Sequence, residues 1–166
     1  MASKDLNEAK SKLVSQIAAA KASSFLIRLQ EGDSLLMGVS VFNKLVNEQN
    51  KLGVYFTCNV DTPFFFLDNY LPDKGIDTGK ILFLDTVTKY VLQRQVEPRA
   101  NVVYTEGSIA VAAMNKLREM VAKNKDVSFI YFDSLTELLK YHSEIEIMGF
   151  LVQLVQLVRE QKMTGL

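Results

Sequence analysis

Three short segments of this chain are apolar at nearly every position rather than at every second one. They are Gly53-Val-Tyr-Phe-Thr-Cys58, Lys80-Ile-Leu-Phe-Leu-Asp85 and Val127-Ser-Phe-Ile-Tyr-Phe132. A strand with one wet face alternates, so unbroken apolar runs of this length mark strands covered on both sides. A mostly parallel sheet sandwiched between helices supplies that cover. Two further runs, Ser24-Phe-Leu-Ile-Arg-Leu29 and Ser34-Leu-Leu-Met-Gly38, have strand length and flank a turn at Glu31-Gly-Asp33.

The intervening segments carry helical spacing. Leu6, Leu13, Val14 and Ile17 predict an N-terminal helix over about 5–22. Val41, Phe42, Leu45 and Val46 predict a second helix, opened by Ser40 and ended by Gly53. Asp61-Thr-Pro63 predicts a third, which stops near Pro72 and Gly75, and further helices are expected over 108–123 and 134–161. A polar, irregular connection reaches from Asp85 to about Ala100. The reading is an N-terminal helix over 1–23 packed on one α/β domain over 24–166, a three-layer sandwich. At Lys162-Met-Thr-Gly-Leu166 the chain stops where another strand is expected, so the sheet reads as incomplete there.

Composition removes several function classes. The 166 residues suit one domain, and 19 basic residues balance 19 acidic ones without clustering. Direct nucleic-acid binding therefore has no electrostatic support. A single cysteine, Cys58, and a single histidine, His142, exclude a disulfide framework, a cysteine-based zinc site and HExxH chemistry within one chain. Residues 17–20 are too short and too weakly apolar for a signal peptide, and Gln153 and Gln156 interrupt the longest apolar stretch. The expectation is a cytoplasmic chain with no membrane partner.

One segment approaches a phosphate-binding loop. In GxxxxGK[ST], glycines let backbone amides approach phosphates, the lysine neutralises them, and the hydroxyl binds Mg²⁺. Here Gly38-Val-Ser-Val-Phe-Asn43-Lys44-Leu45 keeps Gly38 and Lys44 in register. Asn43 replaces the second glycine, Leu45 replaces the hydroxyl, and Val39, Val41 and Phe42 are bulky where small residues are needed. Two readings stand: Ser40 opens a helix and no loop exists, or a relic loop at Gly38, Asn43 and Lys44 holds nucleotide weakly. Gly75-Ile-Asp-Thr-Gly79-Lys80 imitates the motif but precedes a strand, so it reads as a turn.

These segments together resemble the KaiC-like branch of the RecA-fold ATPases, over about residues 24–165. Family members carry a strand ending in Thr, then paired glutamates and Thr-Pro. The matching stretch here is Gly53-Val-Tyr-Phe-Thr57-Cys58-Asn59-Val60-Asp61-Thr62-Pro63. Asn59 and Val60 occupy the glutamate positions, so the water-orienting base is absent, with Asp61 a displaced substitute. Gly75-Ile-Asp77 and the strand ending in Asp85 also resemble the family. Phe129-Ile-Tyr-Phe-Asp133-Ser134 matches its Walker B strand, which implies Asp133 as the Mg²⁺-side carboxylate. Read alone, Ser134-Leu-Thr-Glu137 is a helix capping box with Asp133 beside it.

The resemblance implies a RecA-like sandwich whose catalysis is lost at the loop glycine, the metal hydroxyl and the glutamates. The leading expectation is a pseudo-ATPase, not an enzyme, acting through protein–protein contacts. Its expected partner is a second copy of itself or a related active ATPase. The alternative is a regulator that still binds ATP and Mg²⁺ weakly through Gly38, Asn43, Lys44, Asp133 and Ser134. A third reading, a flavodoxin-like signalling domain, would draw on Asp85 and Asp133 but lacks a matching acidic pattern. Cys58 reads as a buried thiol and His142 as a helix-junction residue. The 145–158 helix is apolar on nearly every side, which suits either complete burial or an interaction face.

Overall fold

A computed structural model describes residues 2–28, 33–58, 65–89, 91–107 and 109–166. Helix α1 spans Ala2–Ala19 and is followed by strand β1, Ser23–Ser24. Helix α2 occupies Asp33–Phe42 and continues with wider π turns over Asn43–Glu48. Strand β2 is Leu52–Thr57, and helix α3 comprises Phe66–Tyr70 and Leu71–Asp73. Then come β3 (Ile81–Asp85), β4 (Val102–Tyr104) and α4, which joins Ile109–Ala113 to Met114–Lys123. The chain continues through β5 (Val127–Asp133), α5 (Leu135–Leu138), α6 (Glu144–Glu160) and β6 (Thr164–Gly165).

All six strands run parallel, in the order β1-β6-β5-β2-β3-β4. The side chains of β2 divide cleanly between the two faces, because successive residues of a strand point oppositely. Tyr55, with Phe83 and Phe129 from the neighbouring strands, packs under α1, α2 and α3. Val54 and Phe56, with Leu84 and Ile130, pack under α4, α5 and α6. The result is a three-layer α/β sandwich, consistent with the RecA-like architecture. The apolar runs at β2, β3 and β5 are explained by this double cover.

An aromatic layer fills the first interface. Phe42 of α2 lies 5.8 Å from Tyr55, 5.9 Å from Phe129 and 5.1 Å from Tyr131, ring centre to ring centre. Tyr55 in turn sits 5.0 Å from Phe66 of α3. These tilted and edge-on pairs are the arrangements that ring quadrupoles favour.

Three expectations need correction. The run Ser34-Leu-Leu-Met-Gly38 lies in helix α2, not in a strand. A short apolar run does not distinguish strand from buried helix, and here the burial of Met37 and Gly38 followed by Val41 and Phe42 is helical. The connection to about Ala100 is irregular as expected, but it is followed by a strand that was not expected, β4. The C-terminal residues do not leave the sheet short of a strand. Thr164–Gly165 forms β6 between β1 and β5, and the Leu166 amide donates to the Ile130 carbonyl at 2.9 Å. The Asp61-Thr62-Pro63 helix start and Ser108 lie outside the described residues.

Gly53 leaves no room for a side chain in the sheet. It is the cross-strand neighbour of Phe129, and a Cβ added to it would overlap the fully buried Phe129 ring. Gly53→Ala should therefore destabilise the fold by about 1–3 kcal/mol, the usual cost of overpacking. Urea denaturation checks this; an unchanged midpoint would show that the ring can move aside.

Candidate functional site

In a parallel α/β sheet, ligands bind outside the carboxyl ends of the strands where the chain reverses its direction of travel across the sheet. Here that point lies between β2 and β5. From β2 the chain passes through α3, on the aromatic face, to β3 on one side. From β5 it passes through α5 and α6, on the opposite face, to β6 on the other side. The crevice is thus bordered by Thr57 and Cys58 at the end of β2 and by Asp133 and Ser134 at the end of β5. Residues 59–64, which include Asn59, Val60 and Asp61, lie outside the described residues.

Register puts Asp133 on the aromatic side. Asp133 pairs with Thr57, as Tyr131 pairs with Tyr55 two residues earlier. The Tyr55 hydroxyl donates to Asp133 Oδ2 at 2.7 Å. Burial raises the Asp133 carboxyl above its ordinary range, partly opposed by the Tyr55 hydrogen bond, and the Glu137 charge pushes it up further. Burial also raises the Tyr55 phenol well above its usual value, and the Asp133 charge adds to that shift. A Mg²⁺-binding carboxylate needs its charge readily available and co-ligands around the ion. Asp133 is instead penalised for ionising and already bonded.

Asp85, at the end of β3, is fully buried and committed to its own loop. Its Oδ1 accepts from the Val87 and Thr88 amides, both at 2.8 Å, and its Oδ2 from the Thr88 hydroxyl at 2.6 Å. Thr57 stands between Asp85 and Asp133 in register, so the two acids are two strand spacings apart, about 9–10 Å along the sheet. One small cation cannot bridge that gap. Among the described residues no group of three His, Cys, Asp or Glu side chains is placed to hold a metal ion.

Ser134 caps α5, its hydroxyl accepting from the Glu137 amide. The box is one-sided, because Glu137 pairs with Lys140 at 2.7 Å. A complete capping box forms instead at Ser143 and Glu146, which start α6.

The relic-loop residues stand elsewhere. Gly38 lies inside α2, in van der Waals reach of Tyr131 and Phe66. Asn43 and Lys44 belong to its π-helical continuation, and both hydrogen-bond Glu48. Backbone amides inside a helix are spent on the helix, so this segment makes no phosphate nest. The structure brings Asp133 and Ser134 together but leaves Asn43 and Lys44 on the helix, paired with its own acid. Magnesium and a triphosphate do not fit the described residues at these positions.

The remaining candidates are structural. Cys58 is buried, its amide donates to the Asp133 carbonyl at 2.7 Å, and burial pushes its thiol well above the usual range. His142 sits at the junction of α5 and α6, its amide bonded to the Leu138 carbonyl at 3.0 Å. Gly75-Ile-Asp-Thr-Gly79 is a turn clipped to α2. The Asn47 side chain donates to the Gly75 carbonyl and accepts from the Asp77 amide.

One feature escaped the sequence reading, and another it had left open between two alternatives. Tyr55 and Tyr131 flank Asp133, and both lie two residues before the strand-end positions that pair with one another. The same-face rule for strands carries that signal. The second is on α6: Ile147, Phe150, Leu154, Leu157 and Val158 are buried, while Ile145, Met148 and Val152 are 85%, 60% and 62% exposed. Complete burial of α6 is therefore not what the fold provides. No protein-family model matches the chain, and no curated protein is similar to it. No helix among the described residues is long and apolar enough to cross a membrane.

Asp133→Asn tests the half-buried, desolvated carboxyl. A raised native value means the folded chain holds the proton more tightly than the unfolded one. That stabilisation is complete below about pH 3.9 and is lost as pH rises through the raised native value. Relative to wild type, the asparagine variant should gain stability over that window and then level off, as read by urea melts. Parallel curves would contradict a desolvated Asp133. Cys58 should resist alkylation in the native protein and react only as it unfolds.

Proposed function

We propose that this chain is a non-catalytic member of the RecA-like proteins, a cytoplasmic pseudo-ATPase that works through protein–protein contacts. One observation carries the reading: at the crevice where such a sheet would hold its ligand, the acid is taken. Asp133 is bonded to Tyr55 and disfavoured as an anion, with no cation beside it among the described residues. Phosphoryl transfer depends on charge positioned around the phosphates and metal, and a carboxyl penalised for ionising and bonded to a phenol is poorly placed to supply it.

The placement of α2 supports the same reading. Gly38 and Lys44 match a phosphate loop in spacing alone, since a continuous helix runs through both. The connection ahead of α2 reads Phe25-Leu-Ile-Arg-Leu-Gln-Glu-Gly32, one arginine and one acid among bulky residues, with a single glycine and no lysine. What remains is a rigid framework with apolar side chains exposed on α6. Such a framework suits assembly better than turnover.

Thermal unfolding with Mg·ATP separates this from weak nucleotide binding. Ligand at 100 times its dissociation constant stabilises by about 2.7 kcal/mol. For a chain of this size that is roughly 5–11 °C in Tm. The expected outcome is no shift at millimolar Mg·ATP, the same for wild type and Lys44→Ala, and no phosphate release. A concentration-dependent rise abolished by Lys44→Ala would replace this proposal with the nucleotide-binding one.

A further inference from the structure

Helix α6 has two apolar faces. The inward one, Ile147, Phe150, Leu154, Leu157 and Val158, is part of the core. On the opposite side, Ile145, Met148, Val152, Val155 and Arg159 follow the 3-4-3-4 spacing of a coiled-coil seam. A helix that packs once onto a sheet has no use for a second stripe of this regularity.

The outer stripe is open. Ile145, Met148 and Val152 are among the most exposed large apolar residues of the described chain. A shallow groove lies along the same side, lined by Leu151, Val152, Val155, Gln156, Arg159 and Glu160. Gly149 stands on this face with nothing within 4 Å of the place a Cβ would occupy, so a second helix can approach closely.

Charge selects the occupant. Glu144 and Glu146 lie in the first turn of α6; the last turn holds Arg159, in line with the outer stripe, and Glu160, which accepts from the Gln156 side chain. Side chains on a helix lean toward its N-terminus, so the Arg159 guanidinium lies back over the turn before it. A second α6 laid antiparallel presents its own Glu144 near that turn. Laid parallel, it would set glutamate beside glutamate and arginine beside arginine.

We infer that this chain self-associates as a two-fold dimer through antiparallel pairing of the outer faces of α6. Ile145, Met148, Val152 and Val155 form the seam, and Glu144 and Arg159 of opposite copies close both ends. A two-fold contact of this kind uses the same patch twice, which the distribution of acid, apolar stripe and base along α6 satisfies. From Glu144 to Arg159 the contact is about 22 Å long. The inference rests on the assembly reading above and gives it a surface and a partner.

Sedimentation velocity over roughly 1–100 µM chain reads the outcome on the intact protein. Wild type should pass from monomer to dimer. Val152→Glu should raise the dissociation constant at least ~100-fold, because the two-fold seam would bury two unpaired carboxylates together. Val152 is exposed, so the variant's melting temperature should stay near that of wild type at low concentration. Glu144→Lys and Arg159→Glu should each weaken the homodimer, and an equimolar mixture of the two should associate again. A chain that is monomeric throughout the range, or a dimer indifferent to Val152→Glu, overturns the inference. Either result assigns the face to another occupant and leaves the Mg·ATP test of the pseudo-ATPase reading unaffected.

Discussion

The two-sided burial of β5, β2 and β3 is the constraint on which everything else in this fold depends. None of these strands has a wet face, so both helical layers must be present for any of them to be stable. The aromatic layer built on Phe42, Tyr55, Phe66, Phe129 and Tyr131 fixes one cover. The aliphatic layer of Val54, Leu84, Ile130, Leu117 and Leu154, with Phe56 and Phe150, fixes the other. At Gly53 the Phe129 ring of the first layer occupies the space a side chain would need.

That packing also decides the chemistry at the strand ends. Because Tyr55 and Tyr131 share a face with Asp133, the aromatic layer extends up to the carboxylate and desolvates it. A strand end that in an ATPase would face water, metal and phosphate here faces phenols. Asp85 follows a different course to the same end, with both its oxygens turned into the loop that leaves β3. Asp85 thus has both oxygens spent on its own loop, and Asp133 has Oδ2 engaged by Tyr55.

Much of this was legible in the residues. The unbroken apolar runs gave β2, β3 and β5 almost to their ends, and helical spacing gave α1, α4 and the 144–160 helix. Misreadings came where a short segment satisfied two patterns at once. Leu35, Leu36 and Met37 form a run of strand length, and only the three-dimensional cover shows that they begin a helix. The Gly38–Lys44 register then looked like a damaged loop, because one glycine and one lysine at the right spacing are a weak signal. β6 and β4 span two and three residues, too little for any periodicity to appear. The Tyr55–Asp133 bond was readable only with the register of β2 on β5 in hand, which single-strand patterns do not contain. The division of α6 into inner and outer faces likewise needed the sheet to say which side was covered.

Strand β1 belongs to the sheet only through β6. The Phe25 amide donates to the Gly165 carbonyl, and the Thr164 hydroxyl reaches the Ala20 carbonyl across 144 positions of chain. Closing so long a loop is slow, and its entropy must be surrendered before the contact returns anything. During synthesis on a ribosome, β1 therefore emerges well before β6, the strand it pairs with, and joins the sheet late.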